Sequence, residues 1–192
     1  MADLYLPVIL GTVRKENFSH GVADFVVSRA SARPSIETRL FDPADLPFGN
    51  LLEREWEMKP QPPAVASFVA EMARADGFLI VTPEYNRGVP GALKNLLDAI
   101  YQQWGRKPFA FVGVSNGYLG GARAIEALRL FCAGVGAVPV PFDAMVRQVP
   151  ETFQGNRPVK DEKEITSRVD KLWVELEWYA RALKLARANS PK

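Results

Sequence analysis

Three segments of the sequence carry residue types that can do chemistry. The most distinctive is Thr82-Pro83-Glu84-Tyr85-Asn86-Arg87-Gly88-Val89-Pro90-Gly91, running into Ala92-Leu93-Lys94-Asn95. A simple connection here needs only Gly, Pro or Asn. Glu84, Tyr85 and Arg87 exceed that need. The second is Gly11-Thr12-Val13-Arg14-Lys15-Glu16-Asn17-Phe18-Ser19, which offers hydroxyls, an amide and an arginine just before a helical pattern. A helix N-terminus has unpaired N–H donors and the positive end of the helix dipole, so it attracts phosphate. Arg14 can add a forked, charge-assisted contact. From this loop alone a plainer reading stands beside that one: Ser19 is a helix cap and Arg14 is solvent-exposed. The third segment is the Gly/Ser-rich Val114-Ser115-Asn116-Gly117-Tyr118-Leu119-Gly120-Gly121.

Other chemistries lack their equipment. There is no Gly-x-x-x-x-Gly-Lys-Ser/Thr, which counts against nucleotide triphosphate hydrolysis, and no Gly-x-Gly-x-x-Gly, which weakens a dinucleotide-binding Rossmann site. The chain has one histidine, His20, and one cysteine, Cys132. Those are few nitrogen and sulfur ligands for zinc, and no Ser-His-Asp arrangement is available.

The elements that must position these segments follow from apolar periodicity. Leu4 to Leu10 reads as a buried strand, Ser19 to Ala30 as a helix, and Ile36 to Phe41 as an alternating strand at a sheet edge. The stretch from Asp42 to Pro63, with five prolines, reads as a long irregular loop. A helix over Ala64–Ala75 precedes a third strand, Gly77–Thr82. Pro90 opens a helix with Leu93, Leu96, Leu97 and Ile100 on its apolar face. Pro108–Val114 is a fourth strand, Gly121–Ala133 a helix, and Ala137–Pro141 a short fifth strand whose prolines place it at an edge. Asp161–Ala188 reads as a long amphipathic helix.

Strands alternating with helices predict a doubly wound α/β fold with a parallel sheet covered on both faces. About 190 residues and five strands favour a flavodoxin-like order, 2-1-3-4-5, carrying an extra long C-terminal helix; an incomplete Rossmann-like domain is the alternative. Residues 1–192 form one domain in this reading. In such folds ligands bind beyond the carboxyl ends of the strands, at the switch point. With strands 1, 3 and 4 side by side, the three polar segments converge on one crevice.

Composition agrees with a globular domain: 47% of residues are hydrophobic and the net charge is only +2. No basic run with interleaved aromatics appears, so no nucleic-acid partner is expected. No apolar run of about 18 residues predicts a membrane span. The single cysteine, and a first segment unlike a signal peptide, predict a cytoplasmic protein.

The segment after the third strand goes further. Pro83 to Asn86 followed by Pro90 to Asn95 resembles the NADPH-dependent FMN reductase family, which includes quinone, azo-dye and chromate reductases. That family carries Pro-Glu-Tyr-Asn and then Pro-Gly-x-Leu-Lys-Asn. Gly11, Thr12, Arg14 and Ser19 fit the family's Gly-Ser/Thr-x-Arg phosphate loop, and residues 114–121 resemble its Gly/Ser-rich loop. The resemblance covers roughly residues 4 to 140; the long C-terminal helix departs from it. It implies bound FMN, with Thr12, Arg14, Asn17, Phe18 and Ser19 around the phosphate. Pro83, Glu84, Tyr85, Asn86 and Arg87 would line the isoalloxazine ring, and Ser115, Asn116 and Gly117 would approach from the third loop. NADPH or NADH is the implied donor, a small acceptor such as a quinone the implied recipient, in a ping-pong cycle. No protein group is required as catalyst, because the flavin carries the chemistry. A homodimer is expected, or a homotetramer. The alternatives are a flavodoxin-like electron carrier and a non-catalytic flavin-binding interaction module.

Remaining residues have plainer expectations. His20 reads as a surface residue near the phosphate, Cys132 as a buried thiol, and Glu53 to Lys59 as a solvated stretch. Trp104 is expected to cover the site or a subunit contact. Trp173 and Trp178 fall on opposite sides of the last helix, so one is expected to meet a partner subunit.

Overall fold

The computed structural model describes residues 3–47 and 53–189. In chain order the elements are β1 (Leu4–Tyr5), β2 (Val8–Leu10), α1 (Phe18–Ala30), β3 (Ile36–Glu37), β4 (Leu40–Phe41), a 3-10 turn (Pro43–Asp45), α2 (Pro63–Arg74), β5 (Phe78–Pro83), α3 (Gly91–Ala99), β6 (Pro108–Val114), α4 (Ala122–Gly134), β7 (Val138–Pro139), β8 (Ala144–Val146), α5 (Val149–Thr152), β9 (Phe153–Gln154), β10 (Arg157–Pro158) and α6 (Glu162–Ala188).

The central sheet runs β4-β2-β5-β6-β7, with β8 also paired to β6, and every pairing in it is parallel. β1 and β3 form a parallel pair of their own. The expected first strand is therefore split. Pro7 lies at the break, where it has no N–H to give a ladder. The second strand is split likewise at Thr38-Arg39. The expected fifth strand shrinks to Val138–Pro139, with one proline in it and Pro141 just beyond. The stretch beyond it is more ordered than a loop: β8 adds to the sheet, and β9 and β10 form an antiparallel hairpin. These segments are too short to show periodicity.

β5 and β6 are buried along their whole length. Their side chains nevertheless divide by pleat. Leu79, Val81, Ala110, Val112 and Val114 join the core under α1 and α6, while Phe78, Ile80, Phe109 and Phe111 join the core under α2, α3 and α4. Strands covered on both faces read as continuous apolar runs, as these do.

α6 is fastened at several points. Trp173 is fully buried and donates its indole N–H to Val26 O at 3.0 Å. Arg29 makes a two-pronged contact with Asp170, both bonds 2.8 Å. Near its end Lys184 and Arg187 reach the buried Asp76. Trp178 lies on the opposite side and is 64% exposed. Trp104 corrects an expectation. It covers neither cleft nor subunit contact; it is fully buried among Phe78, Phe109 and Phe131, and its N–H bonds to Leu97 O and Ile100 O. A tryptophan buried with its N–H satisfied belongs to the core.

Within the expected loop from Asp42 to Pro63, residues 48–52 lie outside the described residues. Asp42 caps the 3-10 turn, and Glu55 N donates to Ala99 O, tying the later part to α3. Most of residues 53–59 are exposed. No described helix is long and apolar enough to cross a membrane.

Candidate functional site

At the carboxyl ends of β2, β5 and β6 lies a cleft of about 540 Å³. Arg14, Asn17, Phe18, Ser19, Pro83, Glu84, Tyr85, Ser115, Asn116 and Gly117 all line it. The three loops singled out in the sequence thus meet in space.

The first loop begins where β2 presses on β5. A Cβ at Gly11 would sit 2.8 Å from Thr82 Cα, so only glycine fits. Asn17 is the N-cap of α1, with extended backbone. Its Oδ1 accepts from His20 N at 2.8 Å and its Nδ2 donates to Arg14 O at 2.6 Å. The cap is therefore Asn17 and not Ser19. The amide reaches a helix donor and the loop carbonyl through two separate atoms, Oδ1 and Nδ2. Ser19 is 2% exposed, lines the cleft, and its hydroxyl has no protein partner among the described residues. The Phe18 and Ser19 amides are first-turn donors with no acceptor inside the helix. His20 stands on the surface, 3.4 Å from Asp24.

Thr12 is buried and does not line the cleft. Its hydroxyl meets the Tyr85 hydroxyl at 2.6 Å. The Arg14 guanidinium lies 3.8 Å from the centroid of the Tyr85 ring. The first and second loops are thereby joined through one tyrosine.

The second loop is a tight hairpin. Tyr85 and Gly88 exchange backbone bonds of 3.1 and 3.0 Å, and the two residues between them have positive φ, 50° at Asn86 and 68° at Arg87. Two central residues with positive φ are what a mirror-image hairpin turn requires. Asparagine tolerates this and arginine adopts it uncommonly. Asn86 and Arg87 form the tip and are not among the residues that line the cleft. Glu84 is 11% exposed at its side chain; its carboxylate accepts from Arg123 N and from the Arg123 guanidinium, both at 3.1 Å. A carboxylate on a helix N-terminus is well placed against the dipole. Glu84 is thus an anchor between the second loop and α4.

The third loop rests on the segment after β8. Ser115 N donates to Val146 O, Val149 N to Ser115 O, and Gln148 N to Gly117 O. Gly120 and Gly121 have φ of 58° and 83°. A Cβ on Gly113 would meet Gly120 O at 2.1 Å, so the loop can turn back over β6 only across a glycine.

The sequence reading missed Glu16, Val114, Tyr118, Leu119, Arg123 and Val149, which also line the cleft. Arg123 had a legible signal, a charge in the first turn of the helix after the third loop. Val149 had none, because it comes from a remote segment. No three His, Cys, Asp or Glu are grouped to hold a metal among the described residues.

A family profile described as NADPH-dependent FMN reductase matches residues 6–151. The chain belongs to the NADPH-dependent FMN reductase family. It is an NAD(P)H-dependent oxidoreductase that works through FMN. The chain is 37% identical to a 2-hydroxy-1,4-benzoquinone reductase of Burkholderia sp. over 135 residues, 68% of this chain and 70% of that protein. It is 35% identical to a quinone reductase of Pseudomonas putida over 161 residues, 81% of this chain and 80% of the other. Among solved structures it is similar to the flavoenzyme NAD(P)H:acceptor oxidoreductase FerB of Paracoccus denitrificans, with a TM-score of 0.74, 26% identity, and 92% and 98% of the two chains covered. A flavodoxin of Pseudomonas aeruginosa, at 18% identity and a TM-score of 0.57, shares the fold.

The residues present fit an FMN reductase's cofactor. One end of the cleft has an unpartnered hydroxyl, first-turn amides and an arginine, a donor set for a phosphate dianion. The other end has aromatic and backbone surface from two loops, suited to a planar ring.

Proposed function

We propose that the cleft holds FMN non-covalently and that the protein passes electrons from NADH or NADPH to a small acceptor of the quinone class. The observation that carries this is the meeting of three polar loops, from β2, β5 and β6, around one cleft with a phosphate-type donor set at one end. The two relatives named above as quinone reductases support the acceptor class. Residues 1–192 are read as one FMN-binding unit.

Arg14, Asn17, Phe18 and Ser19 would surround the phosphate, with Thr12 acting behind them through Tyr85. Pro83, Glu84 and Tyr85 would line the isoalloxazine ring on one side, Ser115, Asn116 and Gly117 on the other, with Asn86 and Arg87 shaping the turn. When bound, FMN supplies hydride transfer between the nicotinamide and the acceptor. The chain's own task is to bind and orient. Glu84 is committed to Arg123, and neither is needed as an acid or base.

The visible spectrum of the purified protein, with and without added FMN, tests the reading, together with NADH and NADPH oxidation in the presence of 1,4-benzoquinone. Yellow protein that turns over both steps is expected. Protein that takes up no flavin, or whose flavin neither nucleotide reduces, would sink it.

We also propose a homodimer formed through α6, of which a homotetramer would be the doubling. Val174, Trp178 and Leu185 are 52%, 64% and 66% exposed along one side of that helix. Two copies paired antiparallel about Trp178 would bury this stripe, the same patch serving both subunits as in a two-fold contact. Trp178→Glu should convert the wild-type dimer to a monomer in light scattering; a wild-type monomer would refute the arrangement. The proposed compartment is the cytoplasm, where free thiols such as Cys132 persist.

A further inference from the structure

A second cleft, of about 200 Å³, adjoins the first and shares Tyr118 with it. The wall between them is the segment 146–149. Val149 faces the first cleft, Arg147 and Gln148 the second. Backbone bonds from this segment to Ser115 and Gly117 make it rigidly part of the third loop's support. The far side of the second cleft is the start of α6, with Asp161, Glu164 and Arg168. Tyr118 stands on the shared lip, 76% exposed.

The charges in this cleft divide unevenly. Arg168 and Glu164 pair with each other at 3.0 Å. That leaves Arg147 and Asp161, neither of which makes an ion pair among the described residues. Gln148 and Asp161 both hold left-handed backbone, with φ of 45° and 53°. Such residues cost energy and persist only where their surroundings hold them. One free cation and one free anion thus face a small cleft at the edge of the flavin site.

We propose that the second cleft is the subsite for the ribose–phosphate half of the nicotinamide dinucleotide, with Arg147 on its diphosphate and Asp161 on the vicinal hydroxyls of the adenosine ribose. This rests on reading the first cleft as the flavin site. The nicotinamide ring must enter that cleft, so the remainder of the molecule has to leave over its rim. The rim at Tyr118 leads to an unpaired guanidinium, the group that matches phosphate geometry. The volume suits a ribose and a phosphate, with the adenine left toward solvent. A carboxylate that accepts from ribose hydroxyls favours the unmodified sugar and repels a 2′-phosphate. The same cleft therefore sets a preference for NADH over NADPH.

The test combines binding with kinetics. ADP-ribose is titrated into the FMN-loaded protein by calorimetry. Steady-state kcat/KM is measured for NADH, NADPH and 1-benzyl-1,4-dihydronicotinamide, which has the ring and no ribose or phosphate. ADP-ribose should bind, and Arg147→Ala should weaken it about tenfold or more. The ratio of kcat/KM for NADH to that for the benzyl donor should fall by a similar factor. Asp161→Asn should narrow the preference for NADH. ADP-ribose binding that is absent, or equal in wild type and Arg147→Ala, would overturn the subsite. So would NADH and the benzyl donor falling together. Flavin that no donor reduces would overturn the functional reading instead, and it is distinguishable because ADP-ribose binding would still depend on Arg147.

Discussion

The hydroxyls of Thr12 and Tyr85 lie 2.6 Å apart, and that bond couples the loop after β2 to the loop after β5. Thr12 is buried at the end of β2, while Tyr85 begins the hairpin after β5. Tyr85→Phe keeps the aromatic surface beneath Arg14 and removes only this bond. FMN binding should weaken by about 0.5–1.5 kcal/mol, a loss of several-fold in affinity. Titration of FMN fluorescence reads it directly. An unchanged dissociation constant would mean that the two loops hold their positions without the bond.

Arg14 stacks on the Tyr85 ring with its guanidinium free to turn toward a phosphate. Arg14→Ala should cost FMN binding about 1.5–3 kcal/mol, the scale of a hydrogen bond to a charged group. Riboflavin, which has no phosphate, should bind the variant and the wild type alike. Equal losses for both ligands would assign Arg14 to the ring and not the phosphate.

Gly113 lies under the third loop and is not among the residues that line the first cleft. Gly113→Ala places a methyl 2.1 Å from Gly120 O, so the loop must move. A stability loss of about 1–3 kcal/mol is expected, as for an overpacked core. FMN affinity should drop with it, although no cleft-lining side chain has changed. Chemical denaturation alongside flavin titration checks both; full stability with full affinity would contradict the contact.

Far from the cleft, Tyr5 donates its hydroxyl to Glu71 at 2.6 Å. That bond holds the Glu71 carboxyl below its ordinary value, against an opposing effect of burial. Burial first, and then Glu71, hold the Tyr5 phenol above its ordinary value. The signs follow from linkage. Glu71's contribution to stability is complete above its unfolded value near 4.5 and is lost as pH falls through the lower folded value; Tyr5's is complete below 10.0 and is lost as pH rises. Tyr5→Phe should therefore destabilise by about 1.5–3 kcal/mol at pH 7. The difference from wild type should shrink in acid. A gap that stays constant from pH 7 to pH 3 would detach the effect from the carboxylate.

Cys132 is fully buried in α4, and burial pushes its thiol up to about 12. Thiolate is the reactive form, so native protein at pH 8 should resist iodoacetamide and label only after denaturant is added. Rapid labelling of the native protein would show that this part of α4 opens.

The places where sequence reading fell short share a cause. Trp104 has the same composition of neighbours whether it covers a cleft or fills a core; only the ring of Phe78, Phe109 and Phe131 decides between them. That Asn86 and Arg87 form a hairpin tip follows only from the backbone exchange between Tyr85 and Gly88. For Glu84 the sequence offers only a place in the second loop; that Arg123, thirty-nine positions away, holds its carboxylate is seen only in the fold.

By itself the sequence determined the alternation of the main strands and helices, the two covered faces of the sheet, and the three polar loops at its strand ends. Those are local properties: apolar period reports burial, and a polar loop between buried elements stands out whatever surrounds it. Tertiary structure alone decided which loop residues face the cleft, which clamp one loop to another, and that a second cleft opens beside the first. Those depend on contacts between distant positions, such as Thr12 with Tyr85 and Ser115 with Val146, and the chain's own order leaves no periodic trace of them.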